Sequence, residues 1–302
     1  MKEYLKKEAK QPLPASTVIL VREADRRLQI YLLQRSTRSR FFPGFYVFPG
    51  GKVEPQDRLP DPSRMIMDSP LEQVRRHFGD DLDWVDLSAY ILSAIRECFE
   101  ETGILLAYPR ETSTRAFEQL CKWRFNDGLD KNWLQEKISE AQWSPAVSRL
   151  APWSHWITPE LMPQRFDTRF FIALMPAGQT CRPDNKETIQ GAWVTPEQGL
   201  QDNFDGKNSL SPPTLVTLQE LLYYPDLFEI KQKFESFSWG SPRLPKMVRL
   251  ADTSLIIEPW DPEYAQGPNI DEKTLKNALL PVGAPFSRLW LSEGIWRPIK
   301  VG

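Results

Sequence analysis

The sequence has little histidine, little cysteine and no long apolar run. Only two of its 302 residues are histidine, so a zinc site is not expected. Its three cysteines are odd in number and include no pair at CxxC spacing, which favours reduced thiols over a disulfide framework. No apolar run approaches the ~20 residues that are needed to cross a bilayer.

The chain also lacks an excess of either charge. It has 38 basic and 40 acidic residues, a net charge of -2, which gives no electrostatic case for a nucleic-acid-binding surface. The charged N-terminus lacks the apolar segment of a signal peptide, and the last three residues are not a Ser-Lys-Leu peroxisomal signal. We therefore expect a cytoplasmic globular protein that associates with neither nucleic acid nor membrane.

Alternating and helical patterns predict an α/β protein. Strands are predicted at 16–23, 28–35, 165–175 and 187–195. Helices are predicted at 71–78, at about 87–102, and near 112–124, 130–141, 196–204, 212–223 and 226–236. Beyond about Gly240 the pattern changes to short strands and prolines. We therefore divide the chain into a main domain, 1–240, and a C-terminal appendage, 241–302, that packs on it.

The helix before Gly103 carries an unusual charge pattern. Glu97, Glu100 and Glu101 stand at i, i+3 and i+4, so their carboxylates share one face. Like charges at this spacing repel each other, and a divalent cation such as Mg²⁺, which prefers oxygen ligands, would reverse that cost. The alternative is a solvated acidic face that is partnered by Arg96, since charge runs on helices are common.

A glycine turn lies upstream, in the stretch FPGGKVE at 48–54. Gly50 and Gly51 permit a close approach of the backbone, so this loop can present its amide or carbonyl groups to a metal–phosphate complex. A plain tight turn is the alternative, because a lone Gly-Gly pair is weak evidence.

Together the two segments resemble the signature of the Nudix hydrolases. That signature is Gly, five residues, Glu, seven residues, then Arg-Glu-apolar-x-Glu-Glu-x-Gly-apolar. Its second half is matched from Arg96 to Ile104, and Gly51 matches the opening glycine. Two departures stand out: the first glutamate falls on Asp57, and residues 58–95 replace the seven-residue spacer. Loop length costs little, so we expect Gly51 and Glu101 still to meet.

One branch of the family has this interruption. The chain resembles the peroxisomal acyl-coenzyme A diphosphatases and their bacterial relatives through 32–51, the split signature and 165–176, and the resemblance extends through 187–200. It implies a Nudix α/β/α sandwich around a mixed sheet. It also implies that 58–86 is a helical insertion within the signature, and we expect this insertion to border the site.

The implied activity is hydrolysis of a nucleoside diphosphate linked to another group, with Mg²⁺ or Mn²⁺. Coenzyme A or an acyl-coenzyme A is the expected substrate, giving 3′,5′-ADP and (acyl-)4′-phosphopantetheine. One alternative is a Nudix pyrophosphatase for ADP-ribose, NADH or dinucleoside polyphosphates. Another is a non-catalytic Nudix-like binding module, against which the intact set of carboxylates argues.

The resemblance also implies roles for individual residues. Glu100 and Glu101 would be the principal metal ligands, and Glu97 a further ligand or the catalytic base. Arg96 would orient a carboxylate, with Glu54 and Asp57 as the candidates. Glu187, just before a predicted strand, is a further candidate ligand or base, and the alternative is a surface glutamate.

Basic and aromatic residues before the glycine turn are candidates for substrate binding. Arg35, Arg38 and Arg40 could meet the 3′-phosphate of coenzyme A, or could form a solvated basic loop. Phe45 and its aromatic neighbours could stack on adenine or line an acyl channel, although core packing suits at least two of them.

Overall fold

The computed structural model describes residues 10–39, 42–59, 61–79, 82–110, 114–125, 130–140, 142–266 and 272–301. The strands in these ranges are β1 (Leu13–Ala24), β2 (Arg27–Arg35), β3 (Tyr46–Val47), β4 (Gly50–Lys52), β5 (Ala107–Pro109), β6 (Trp143–Pro145), β7 (Leu150–Ile157), β8 (Phe166–Leu174), β9 (Thr188–Val194), β10 (Lys246–Arg249), β11 (Ser254–Ile257), β12 (Arg288–Ser292) and β13 (Ile295–Ile299). The α-helices are α1 (Leu71–Phe78), α2 (Trp84–Thr102), α3 (Thr114–Phe125), α4 (Trp133–Ser139), α5 (Pro196–Phe204), α6 (Pro212–Leu221) and α7 (Leu227–Lys233).

The centre of the molecule is a mixed seven-stranded sheet. Its main path runs β3-β2-β1-β8-β7, while β4 pairs with β1 and β9 pairs with β2. β1 and β8 are parallel, with Leu13 opposite Phe166 and Val21 opposite Leu174, and both are antiparallel to their other main-path neighbours. The strands predicted at 16–23 and 28–35 are the antiparallel pair β1 and β2, and those predicted at 165–175 and 187–195 are β8 and β9.

Both faces of this sheet are buried. Along β1, Val18 and Leu20 point into a core that is shared with α2, while Ile19 and Val21 point into a second core shared with α5 and α6. Helices therefore cover the sheet on both sides, and the predicted α/β/α sandwich is confirmed.

Helix α2 carries the acidic face, and its sequence explains both of its ends. The Asp83 carboxylate accepts a hydrogen bond from the amide of Asp86 and caps the helix. The helix ends at Gly103, whose φ of 77° lies in the left-handed region that glycine adopts freely. The helix begins at Trp84, a few residues before the predicted start at about 87, because Asp83 caps it.

The described part of the insertion packs on the sheet and does not border the large cavity described below. Val74 and Phe78 of α1 are buried in the first core, where Phe78 contacts the ring of Phe171. An ion pair of 2.6 Å between Arg58 and Asp86 joins the two ends of the segment. No described residue of 58–86 lines the cavity, so the expectation of a bordering segment was wrong. The apolar face of its helix α1 is instead buried in the first core.

The C-terminal segment forms a four-stranded antiparallel sheet in the order β10-β11-β12-β13. Ile256 and Leu289 of this sheet join the second core of the main sheet. Just before β10, Arg243 makes an ion pair of 2.7 Å with Glu220 of α6 and lies over the rings of Trp156 and Trp260. The division into domains at residue 240 stays a prediction.

Some elements lay outside the sequence-based predictions. β7, at the edge of the main sheet, has Pro152 in its middle, and proline disfavours strand assignment. A register shift between Pro152 and Ser154 accommodates it.

None of the described helices is both long and apolar enough to span a bilayer.

A buried carboxyl in the C-terminal sheet makes stability depend on pH. Glu258 is fully buried, and neither of its oxygens has a hydrogen-bond partner among the described residues. Burial raises its pKa to about 8, against the lowering effect of Arg243. The folded protein therefore binds a proton that the unfolded chain releases above its ordinary pKa of 4.5. The stabilisation that this bound proton gives to the folded state is complete below pH 4.5 and is lost as pH rises through about 8.

We expect Glu258→Gln to remove this pH dependence. Between pH 5.5 and 7.5 the wild type should lose about 2.5 kcal/mol more unfolding free energy than the variant, at about 1.4 kcal/mol per pH unit. Urea unfolding at several pH values measures this difference. Glu293→Gln, at an exposed turn of the same sheet, is the matched control. Parallel stability curves for the wild type and Glu258→Gln would contradict the prediction.

Candidate active site

The glycine turn and α2 meet despite the insertion between them. The Gly50 amide donates a hydrogen bond of 2.9 Å to Oε2 of Glu101. A side chain at Gly51 would place Cβ 2.3 Å from Oε1 of Glu97, so any larger residue there would push the Glu97 carboxylate out of its place. The Ser93 hydroxyl adds a hydrogen bond to the Lys52 carbonyl. The expected approach of Gly51 to Glu101 is therefore present, although the Gly50 amide holds a carboxylate where a phosphate contact was expected.

Arg96 organises the carboxylates around it. Its guanidinium donates to both oxygens of Asp57, at 2.7 and 2.8 Å, and also to Glu97 and Glu100, at 2.8 and 3.1 Å. A further bond reaches the Lys52 carbonyl. Burial alone would lower the pKa of Arg96, but these partners, Asp57 foremost, raise it. Arg96 is thus fixed in its fully charged form and orients Asp57, Glu97 and Glu100.

Asp57 occupies the place of the first glutamate of the signature. It is 2% exposed, and its Oδ2 also accepts the Glu54 amide. Of the two partners expected for Arg96, Asp57 is the one that binds it. The shorter side chain reaches the guanidinium because Asp57 ends a 3-10 turn that begins at Pro55.

The three helix carboxylates differ in their surroundings. Burial raises the pKa of Glu97 to about 7, even though Arg96 acts in the opposite direction. Burial also raises the pKa of Glu101 well above its usual range, and the charge of Glu97 adds to the effect. Glu100 is more open and accepts a hydrogen bond of 2.9 Å from the Trp133 indole. The alternative of a solvated acidic face is wrong, since Glu101 is only 4% exposed.

The same carboxylates fit a divalent metal by their chemistry. Within the described ranges, no three His, Cys, Asp or Glu side chains are close enough to coordinate one metal ion. Glu97 and Glu100 instead form ion pairs with Arg96. The donors are nevertheless all oxygens, as hard divalent cations prefer. Burial disfavours the ionised forms of Glu97 and Glu101, and a nearby cation would favour them.

A cavity of about 840 Å³ opens from this cluster. Gly50, Gly51, Glu97 and Glu101 form part of its wall. This volume lies within the range of small-molecule sites, roughly 300–1,000 Å³. The cavity therefore brings the carboxylates together with space for a substrate of considerable size.

Some of the other candidate residues line the cavity and others do not. Arg35 lines it, with its guanidinium bonded to the Ser39 hydroxyl, and the exposed Glu187 lines it as well. Arg38 is exposed and is not part of the wall, because its loop turns it towards solvent. Arg40 lies outside the described residues.

Phe45 is not part of the cavity wall either. It packs against the second core and contacts the ring of Phe42, which does line the cavity. For Phe45 the core alternative is therefore correct, because strand β3 directs this segment onto the apolar side of the sheet.

Sequence reasoning missed several residues at the cavity. Lys52 directly follows the glycine pair, and its position beside that motif was an available signal. Arg124 at the end of α3 is 6% exposed, and it donates to the carbonyls of Glu100 and Arg182. Nothing in the sequence around α3 links it to α2, so only the fold reveals this contact.

Comparison with known proteins identifies the family. A sequence model of the NUDT19 Nudix domain matches residues 8–221, more than half of the chain. This chain belongs to the NUDT19 branch of the Nudix hydrolases. It is 29% identical to the acyl-coenzyme A diphosphatase NUDT19 of Xenopus laevis, over 88% of this chain and 81% of that one. Its identity to the protein of the same name from Homo sapiens is 27%, over 79% and 72%.

A solved structure agrees with the family in fold. The Nudix hydrolase of Alicyclobacillus acidocaldarius superimposes with a TM-score of 0.57 and 24% identity. The superposition covers 77% of this chain and 99% of that one. Membership of the branch and the Nudix fold, both expected from the split signature, are confirmed.

Proposed function

We propose that this Nudix hydrolase cleaves the diphosphate of coenzyme A or an acyl-coenzyme A, releasing 3′,5′-ADP and 4′-phosphopantetheine or its acyl form. The observation that carries the proposal is that Glu97, Glu100 and Glu101 line one large cavity together with several basic side chains. Similarity to proteins named acyl-coenzyme A diphosphatase supports the choice of substrate.

Each charged group of the cavity has a role in this proposal. Nudix hydrolases generally use divalent metals, and here Glu100 and Glu101 would hold Mg²⁺ or Mn²⁺ with Glu97 as a further ligand. When bound, such an ion would neutralise charge on the diphosphate and lower the pKa of the attacking water. Glu97, with a pKa of about 7, is the first candidate to accept the proton of that water, and Glu187 is the second.

Arg96 and the cations of the wall act without taking part in proton transfer. Arg96 is saturated by Asp57, Glu97, Glu100 and a backbone carbonyl, so it positions carboxylates and does not bind substrate. Arg35 and Lys52 are available to phosphate oxygens at the wall of the cavity. We further infer a cytoplasmic location, which the three free cysteines support.

A substrate panel tests the proposal. Coenzyme A, acyl-coenzyme A, ADP-ribose, NADH and a dinucleoside polyphosphate would each be assayed with Mg²⁺, and kcat/KM compared. The proposal expects the coenzyme A compounds to be cleaved fastest. Faster cleavage of ADP-ribose or NADH would instead assign the enzyme to the other pyrophosphatases, and no turnover of any compound would support the binding-module alternative.

Arg35 is expected to provide a preference for the 3′-phosphate of coenzyme A. A charge-assisted hydrogen bond contributes roughly 1.5–3 kcal/mol, which corresponds to about a tenfold to hundredfold preference over dephospho-coenzyme A. Arg35→Met should erase that preference and spare the dephospho compound. Arg38→Met, in the exposed turn that follows Arg35 at the end of β2, is the matched control and should keep the preference. Equal kcat/KM for both substrates in the wild type would contradict the prediction.

A further inference from the structure

A second excursion of the chain, residues 110–142, contacts the C-terminal end of α2. It leaves the fold after β5 and returns at β6, and these two strands pair antiparallel, with Ala107 opposite Pro145. Its described helices are α3 and α4, and Leu134 and Ile138 of α4 are buried in the first core. This excursion, the α3–α4 segment, is therefore anchored both at its strands and at its second helix.

Helix α4 holds the side chain of Glu100. The indole Nε1 of Trp133 donates a hydrogen bond of 2.9 Å to Oε1, while Nη1 of Arg96 donates one of 3.1 Å to Oε2. Trp133 is 4% exposed, and its ring centroid lies 5.1 Å from that of Phe99. An indole N–H can only donate, and each carboxylate oxygen has about two lone pairs. The Trp133 bond therefore orients Oε1 and leaves this oxygen able to bind a cation.

Helix α3 holds the main chain of the same residue. The Glu100 carbonyl lies in the last turn of α2, where the amide of Ile104 bonds to the Thr102 hydroxyl instead of continuing the helix. Nε of Arg124 donates to this carbonyl at 2.8 Å, and Nη2 donates to the Arg182 carbonyl at 2.7 Å. Arg124 thus fixes the end of α2 at the point where Glu100 leaves it.

We propose that Trp133 and Arg124 are positioning residues for Glu100 and that they increase the affinity of the enzyme for its divalent metal. This inference rests on the metal-dependent hydrolysis proposed above. A ligand that is oriented before the ion arrives loses less conformational freedom when the ion binds. In the competing interpretation, Glu100 only satisfies a buried indole N–H, and metal affinity does not depend on Trp133.

Binding of Mn²⁺ alone distinguishes the two interpretations. The free ion is measured by electron paramagnetic resonance, with no substrate present. Trp133→Phe keeps an aromatic ring and removes the N–H, so the Kd for Mn²⁺ should rise by about 10–100-fold. Trp84→Phe is the matched control, because Nε1 of Trp84 is buried beside the same core without a hydrogen-bond partner among the described residues. This control should keep the wild-type Kd.

Arg124→Met tests the main-chain contact independently. It should also raise the Kd for Mn²⁺, whereas Lys122→Met, at an exposed position of α3, should not. Each variant is melted without metal, so that Kd values are compared only between folded proteins. If Trp133→Phe does not fold, Arg124→Met carries the test.

The dependence of coenzyme A cleavage on Mg²⁺ gives a second readout. In Trp133→Phe the half-saturating concentration of Mg²⁺ should rise together with the Kd for Mn²⁺, and saturating Mg²⁺ should restore most of kcat. A purely structural role would lower kcat at every Mg²⁺ concentration and leave the half-saturating concentration unchanged.

The outcomes separate this inference from the proposed function. A wild-type Kd in folded Trp133→Phe or Arg124→Met would overturn the role given to that residue and leave the diphosphatase intact. A raised Kd in an enzyme that cleaves no coenzyme A compound would support the positioning role and contradict the proposed substrate. A wild type that binds no Mn²⁺ would overturn both the positioning role and the metal-dependent reaction.

Discussion

Replacement of Glu101 by glutamine should lower kcat by about 10²–10⁴-fold, because the loss of a metal-ligand charge removes several kcal/mol of transition-state stabilisation. The fold should survive the change. Burial raises the pKa of Glu101 well above its usual range, so a neutral amide removes a charge that the buried site disfavours, and a glutamine oxygen can still accept the hydrogen bond from the Gly50 amide. Steady-state kinetics with Mg²⁺ and a thermal melt without metal measure the two effects.

Metal binding gives a second readout for Glu101→Gln. In the wild type, Mg²⁺ at a hundred times its Kd should stabilise the fold by about 2.7 kcal/mol, and the variant should lose most of that gain. Glu72→Gln, at an exposed site on α1 away from the cavity, should behave as the wild type in both assays. Near wild-type kcat in Glu101→Gln would show that the metal assignment is wrong.

Replacement of Asp57 by alanine should have the largest effect on stability. Asp57 and Arg96 are both buried, and removal of one partner leaves the other charge without its closest counter-ion. Such a loss costs about 3–5 kcal/mol. Arg96 would also hold Glu97 and Glu100 less firmly, so activity should fall together with the free energy of unfolding. Urea unfolding at neutral pH, followed by circular dichroism, measures the change.

A neighbouring residue provides the control for Asp57. Glu54 stands three residues earlier and is about half exposed, and its one ion pair with a described residue is a long contact of 4.0 Å with Lys52. Glu54→Gln should therefore change stability by less than about 0.5 kcal/mol. An Asp57→Ala protein as stable as Glu54→Gln would contradict the role given to the Arg96 ion pair.

The fold was largely predictable where the sequence is periodic. β1, β2, β8 and β9 are apolar and bounded by turn residues, and each agrees with its predicted range within a few residues. β7 was not predicted because Pro152 disfavours a strand by local rules, whereas its position beside β8 favours one. The start of α2 was placed a few residues late, because the backbone conformation at Asp83, which the sequence does not give, decides where the helix begins.

The site was predictable where a motif spans it, and less so where the fold assembles it. Glu97, Glu100 and Glu101 followed from spacing on one helix, and Asp57 followed from its distance to Gly51. Arg38 and Phe45 lie outside the described cavity wall, because sequence proximity to the glycine turn does not fix the direction of a side chain, and their role as substrate contacts stays a prediction. The presence of Met247 and Ile256 in the cavity wall could not be foreseen, since about 200 residues separate them from the glycine turn.

In the proposed reaction, water attacks the diphosphate of coenzyme A in a cavity lined by Glu97 and Glu101. Hydrolysis of coenzyme A with Mg²⁺ in ¹⁸O-labelled water, with products identified by mass, tests it most directly. The predicted result is 3′,5′-ADP and 4′-phosphopantetheine, with one ¹⁸O atom in one of the two new phosphates and negligible product from Glu101→Gln. Release of inorganic phosphate from the 3′ position, or intact coenzyme A after prolonged incubation, would contradict the account.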